Sequence, residues 1–195
     1  MILIIDNGHG ADTKGKRSPD GRLLEYKWAR DVAALIAARA KEQGITAVIL
    51  TPEETDVPLR ERTRRANEIC RQHGARNCIL LSVHINAAGA DGKWHDASGW
   101  SGWVAPNASV RSKRLAALLY AQAEARGLKG NRSVPPERYW TGNFAIVRDT
   151  LCPAVLTENL FQDNRQEVEY LLSDKGKQEI AALHVAAVIN YINGK

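Results

Sequence analysis

The segment from residue 77 to 83 is apolar almost throughout, and a strand of that composition belongs at a position covered on both faces of a sheet. The rest of the chain supplies the cover. Short apolar runs at residues 2–6, 47–50, 144–147 and 154–157 alternate with amphipathic helical patterns, which predicts an α/β domain with a largely parallel sheet. The first helix is expected over residues 23–43, with Leu24, Trp28, Val32, Leu35 and Ile36 on one stripe and Gly44 as its stop. Asp56 and Pro58 open the next helix and Gly74 closes it. A Gly- and Trp-rich loop over residues 87–103 holds a short strand near 99–105, and a helix follows over 110–126. After a second irregular stretch at 127–141, helices near 165–172 and 175–192 finish the chain. No linker, repeat or low-complexity tract interrupts the 195 residues. The expectation is a single domain over residues 1–195, with a central sheet of about six strands flanked by helices on both faces.

Polar residues cluster on this map. His9 lies just past the first strand, His84 at the end of the 77–83 strand, and Glu158 after the last one. Ligands of open α/β sheets bind outside the carboxyl ends of the strands, so the three share one edge. Glu25, in the first turn of the first helix, can face that edge too. Two imidazoles and one carboxylate make a site that zinc favours, with water in an open fourth position. A further carboxylate, not bound to the metal, would take a proton from that water. Gly8 and Gly10 suit a tight backbone that brings His9 close to the metal. Taken singly, each residue has a plainer reading: a hydrogen-bonded structural histidine, or a carboxylate favoured at a helix start. Their convergence argues for a zinc hydrolase.

The same segments resemble the zinc-dependent N-acetylmuramoyl-L-alanine amidases, whose first-strand motif is D-P-G-H-G-G. Here it reads Asp6-Asn7-Gly8-His9-Gly10-Ala11. Leu24-Glu25 is similar to the family's zinc-binding glutamate segment, and Ser82-Val83-His84-Ile85-Asn86 to its S-x-H-x-N. Residues 156–164 resemble L-x-E-x-G-F-x-x-N, whose glutamate is catalytic, and the likeness runs from about residue 2 to 192. The resemblance implies that His9, Glu25 and His84 hold Zn²⁺ and that Glu158 activates water. The substrate is then peptidoglycan, cut between N-acetylmuramic acid and L-alanine. Asn7, Ala11 and Leu160 depart from the pattern without removing a ligand, and Leu160 stands where a glycine is common. Asp6, Ser82 and Asn86 are candidates to hold the histidines' other nitrogens. Some cell-division members carry a long regulatory insertion after the second histidine. Residues 87–110 are short, Gly-rich and without helical period, so no activator is expected to be needed.

Trp94 and Trp140, on the two long loops, are the expected substrate contacts, with a minicore under those loops as the alternative. His73 and His184 read as structural, His95 as a surface residue, and Arg62 as the partner of a buried salt bridge. Cys70, Cys78 and Cys152 form no C-x-x-C pair and read as buried free thiols. The net charge of +5, from 27 Lys and Arg against 22 Asp and Glu, suits either solubility or an anionic partner such as the phosphate-rich polymers of a cell wall. No nucleic-acid motif is visible, and no apolar run is long enough to span a membrane. Met1 leads directly into a strand without a basic leader. That leads us to expect a phage lysin or an excised domain acting at the cell wall, as a monomer. The rival readings are a zinc peptidase acting on the stem peptide, disfavoured because His9 and Glu25 are far from H-x-x-E spacing, and a non-catalytic wall-binding module.

Overall fold

A computed structural model describes residues 1–194, so Lys195, the last residue of the expected domain, lies outside the described residues. The strands are β1 (Ile2–Asn7), β2 (Thr46–Ile49), β3 (Cys78–Asn86), β4 (Ser101–Val104), β5 (Trp140–Thr141) and β6 (Ala154–Phe161). They form one sheet in the order β2-β1-β3-β6-β4-β5. Every pairing is parallel except β4 with β6. The helices are α1 (Glu25–Glu42), α2 (Leu59–His73), α3 (Val110–Glu124), α4 (Ala145–Arg148), α5 (Arg165–Leu172) and α6 (Asp174–Ile192).

Strand side chains alternate between faces, and the core divides accordingly. Leu3, Ile5, Ile79, Leu81, Val83 and Val155 enter a large core with Trp28, Val32 and Ile36 of α1, Leu115 and Leu119 of α3, and the apolar residues of α5 and α6. Ile4, Leu80, Ala154 and Leu156 point the other way, into a smaller core closed by Ala66 and Cys70 of α2 and by Ile146 and Val147 of α4. In the alternation of the central strands, Asp6, Ser82, His84 and Glu158 continue the smaller face.

The sequence reading differs from the structure at two places. Residues 144–147 form no strand: Phe144 is extended at φ −85° and ψ 126°, and helix α4 starts after it. A run of four apolar residues fits one turn of buried helix as well as a strand, and Trp140–Thr141 take the sheet position instead. The last strand also runs on past residue 157. It continues through Glu158 to Phe161, so Glu158 lies within β6, paired with His84 of β3. An irregularity follows, because Asn86 pairs with Phe161. Leu160 absorbs the extra residue with φ +68°, the left-handed conformation that favours glycine. Its side chain is nevertheless 3% exposed and part of the large core, which offsets the roughly 1–2 kcal/mol that this backbone costs a residue with a Cβ.

Arg62 of α2 is buried and joins the helix to the sheet. Its Nη1 donates to Asp6 Oδ1 and to the Asn7 carbonyl, both at 2.7 Å, its Nε to the Val57 carbonyl at 2.7 Å, and its Nη2 to Asp56 Oδ1 at 2.9 Å. Ser82 Oγ donates to the other Asp6 oxygen at 2.6 Å. Cys70, Cys78 and Cys152 are all buried and free, and share the smaller core.

Two consequences for stability follow. Arg62→Met leaves the Asp6 carboxylate buried without its cation and should cost about 3–5 kcal/mol. The double variant with Asp6→Asn should lose less than the sum of the two single losses, as read from urea unfolding midpoints. His184 of α6 is fully buried, with Nδ1 facing the Ile180 carbonyl at 2.8 Å and Nε2 facing Thr157 Oγ1 at 3.0 Å. Burial drives its pKa down to about 4. The unfolded chain therefore takes up a proton near pH 6.5 that the folded chain refuses until pH 4, so this group's contribution falls as pH drops through that window. Between pH 7 and pH 5 the loss should be about 2 kcal/mol, and His184→Leu should remove that component from the pH dependence of the urea midpoint.

Candidate metal centre and active site

β1 ends at Asn7, and the chain then turns through Gly8-His9-Gly10. His9 has φ +58°, an unusual conformation for a residue with a Cβ. Its carbonyl accepts from Arg30 Nη1 at 3.1 Å and from Arg62 Nη2 at 3.4 Å, which pins the turn. Both glycines are required by close approach. A Cβ on Gly8 would lie 2.4 Å from the His84 ring, and one on Gly10 would lie 1.9 Å from the Asp56 amide nitrogen. Asn7, where the resembled motif has proline, donates its side-chain amide to the Thr51 carbonyl at 2.9 Å and accepts from Thr51 Oγ1 at 2.9 Å.

Glu25 is the first residue of α1, where the helix dipole favours an anion. It is fully buried. Its Oε1 accepts from the Ile85 amide at 3.0 Å and lies 3.1 Å from His84 Nδ1 and 3.4 Å from His9 Nε2. The two imidazoles meet edge to face, with centroids 4.9 Å apart at 86°. Donor atoms of His9, Glu25 and His84 all lie within 4.8 Å of one another. Burial opposes the Glu25 charge, but its contacts with His84 and His9 outweigh it and hold the carboxyl well below the usual range. Burial likewise opposes a charge on His84, and Glu25 reverses the effect, so His84 is raised. The second oxygen, Oε2, is buried without a hydrogen-bond partner. Two ring nitrogens around a carboxylate with a free buried oxygen are a donor set that fits a zinc ion.

Glu158 stands opposite His84 across the β3–β6 pairing, and its Oε2 is also buried without a partner. Burial, the largest influence, pushes its pKa up to about 7; His84 pulls it down and Glu25 adds to the rise. His9, His84 and Glu158 open onto a cleft of about 610 Å³, walled by Pro58 and Leu59 on one side and by Phe144 and Ile146 on another.

The other expected site residues have different partners, although Asp6 lines the same cleft. Asp6 and Ser82 bond to each other, Asp6 also to Arg62, and Asn86 Oδ1 caps the Ala87 amide at 2.9 Å. None of their hydrogen bonds reaches a ring nitrogen of His9 or His84. The support comes instead through backbone carbonyls: Arg30 and Arg62 hold that of His9, and Asn159 Nδ2 donates to that of His84 at 2.9 Å. Trp94 stands under Arg165, at 4.5 Å from its guanidinium, and lines a different cleft with His95 and Tyr170. Trp140 packs against Trp103 and Tyr120 with Arg132 over its ring, a minicore beneath the two loops. Sequence reasoning also passed over Lys16, which lines the cleft, and Arg132, whose charge acts on Glu158. Both sit on irregular chain, where no regular spacing singles them out as site residues. No helix occurs between residues 87 and 109, so this segment holds no helical insertion over the cleft.

Comparison with known proteins agrees with this architecture. Residues 3–190 match the family described as N-acetylmuramoyl-L-alanine amidase. The chain is 30% identical over 193 residues to the N-acetylmuramoyl-L-alanine amidase CwlM of Bacillus licheniformis, covering 98% of this chain and 68% of that protein. It is 27% identical to the endolysin of Bacillus phage SPP1, covering 100% of this chain and 67% of the endolysin. The crystal structure of an N-acetylmuramoyl-L-alanine amidase from Clostridium difficile 630 matches with a TM-score of 0.83 at 26% identity, over 100% of this chain and 97% of that one. The family match spans nearly the whole sheet-and-helix architecture described above, and the chain belongs to the N-acetylmuramoyl-L-alanine amidase family.

Proposed function

We propose that this chain carries out the amidase reaction of its family on peptidoglycan, with His9, Glu25 and His84 as zinc ligands and Glu158 as the general base. The bond cut joins the lactyl carbonyl of N-acetylmuramic acid to the amine of L-alanine. The observation that carries the reading is the convergence of three donors within 4.8 Å, with the Glu158 carboxylate across the strand pair from one of them.

Zinc, when bound, supplies a Lewis acid that makes water acidic near neutral pH and stabilises negative charge on an attacked carbonyl. The protein supplies the rest. Glu158 takes the proton of the attacking water and returns it to the departing amine. Burial raises this carboxyl above the usual carboxylate range, the direction that suits a group that must both take and return a proton. The apolar walls at Leu59, Phe144 and Ile146 lower the local dielectric and strengthen these charge interactions. Glu25, unable to reach water from its buried position, keeps its charge for the metal. Action at the cell wall follows from the substrate, and among the described residues no helix is long and apolar enough to cross a membrane.

Digestion of purified peptidoglycan by zinc-loaded protein should release free stem peptides beginning with L-alanine and leave the glycan intact, with the activity lost on chelation and restored by Zn²⁺. Fragments cut within the stem, seen by mass spectrometry, would make the protein a peptidase. Glu158→Gln should lower kcat by a factor of about 10²–10⁴ while the zinc content, measured by atomic absorption, stays at the wild-type level. Glu25→Ala should instead lose the zinc, and Gly8→Ala should weaken zinc binding by pushing the His84 ring aside. A Glu158→Gln protein with normal turnover would sink the assignment of the base.

A further inference from the structure

Beside the catalytic cleft lies a second one, of about 550 Å³, that none of the expected site residues lines. Lys16 lines both, so the two adjoin. Lys14 and Arg17 from the loop after β1, and Lys93 from the loop after β3, stand with Lys16 on the rim of the second cleft. Among the described residues, none of these four side chains is held in an ion pair or hydrogen bond. The floor is of opposite character. Gln162 and Asp163 are 4% and 5% exposed, yet Gln162 Oε1 and Asp163 Oδ1 have no hydrogen-bond partner. Asp163 Oδ2 is occupied by the amides of Ala88 and Gly89 at 2.8 and 3.0 Å, while Gln162 Nε2 reaches only the Gly15 carbonyl at 3.5 Å.

Buried acceptors left open destabilise the fold until a donor reaches them. A ligand that satisfies this cleft therefore presents N–H groups to the floor and negative charge to the rim. A simple phosphate offers only the second, and a neutral sugar chain offers no charge. A peptide with free carboxylates offers both. We propose that this cleft binds the stem peptide of the substrate and selects stems whose side-branch carboxylates are free over those in which they are amidated. The inference rests on the amidase reading above, since the peptide is the leaving group of that reaction and must lie next to the catalytic cleft.

Two synthetic muramoyl-peptides, identical except that the stem carboxylates are free in one and amidated in the other, test it. Wild-type protein should cleave the free form with kcat/KM about tenfold higher, and the preference should fade as salt is raised to ~0.5 M, where exposed charges are screened within a few ångströms. In Arg17→Ala/Lys93→Ala the ratio should approach one. Equal rates for the two substrates in the wild type, or a preference that survives in the variant, would overturn the inference. The released peptides alone, titrated calorimetrically into the protein, read the cleft without turnover. Binding of the acidic peptide by a protein that cleaves neither substrate would uphold the cleft and defeat the amidase reading. Binding of glycerol phosphate with no discrimination between the peptides would show a phosphate site and overturn the proposal.

Discussion

Arg62 ties together parts of the chain that the sequence keeps far apart. One guanidinium holds the Asp6 carboxylate in β1, the carbonyls of Asn7 and Val57, and the Asp56 side chain ahead of α2. It also reaches the carbonyl of His9. The planar fork of arginine can serve several acceptors at fixed angles where a lysine could not. The left-handed turn at His9 is held from the carbonyl side, and the ring is left free to meet Glu25 and His84. The geometry of the candidate metal site depends on this buried charge pair, although Arg62 reaches His9 only at its backbone and touches none of the three side-chain donor atoms.

The parallel register does the complementary work. Strands β1, β3 and β6 run the same way, so their carboxyl ends arrive at one edge and deliver His9, His84 and Glu158 together. Glu25 comes from the helix that follows β1 and lies under the same edge. Its charge is retained by contact with imidazoles and a backbone amide rather than by water. The site faces the smaller core, where α2 and the short α4 leave a cleft between them. The opposite face is filled by four helices and offers no comparable approach to these residues.

Much of this was legible in the sequence. Strand ends carry ligands for a reason of chain direction, so His9 and His84 stood out from the other histidines by position alone, and the periodicity of α1 placed Glu25 at its start. Other features depended on contacts that no local pattern records. The four residues from Phe144 to Val147 hold no information that separates a strand from a helical turn. The extension of β6 through Glu158 rests on Leu160 adopting a backbone conformation that its residue type argues against. The histidines are held through their own backbone carbonyls, gripped by Arg30, Arg62 and Asn159, which motif reading does not address. The tryptophans were visible as a group, but their mutual packing and the guanidinium groups above Trp94 and Trp140 are purely tertiary.

The order of the strands also sets the order in which the site can come into being. β6 lies between β3 and β4, and β4 has no other sheet neighbour than β6 and β5. While the chain is emerging from the ribosome, His9, Glu25 and His84 can come together once β3 has docked on β1. The sheet stays open along β3 until residues 154–161 have been made. Before β6 is added, the three clustered side chains lack the carboxylate that stands opposite His84. The strand order thus makes Glu158 the last of the four side chains to reach the common edge, so the candidate site is complete only once β6 has closed the sheet.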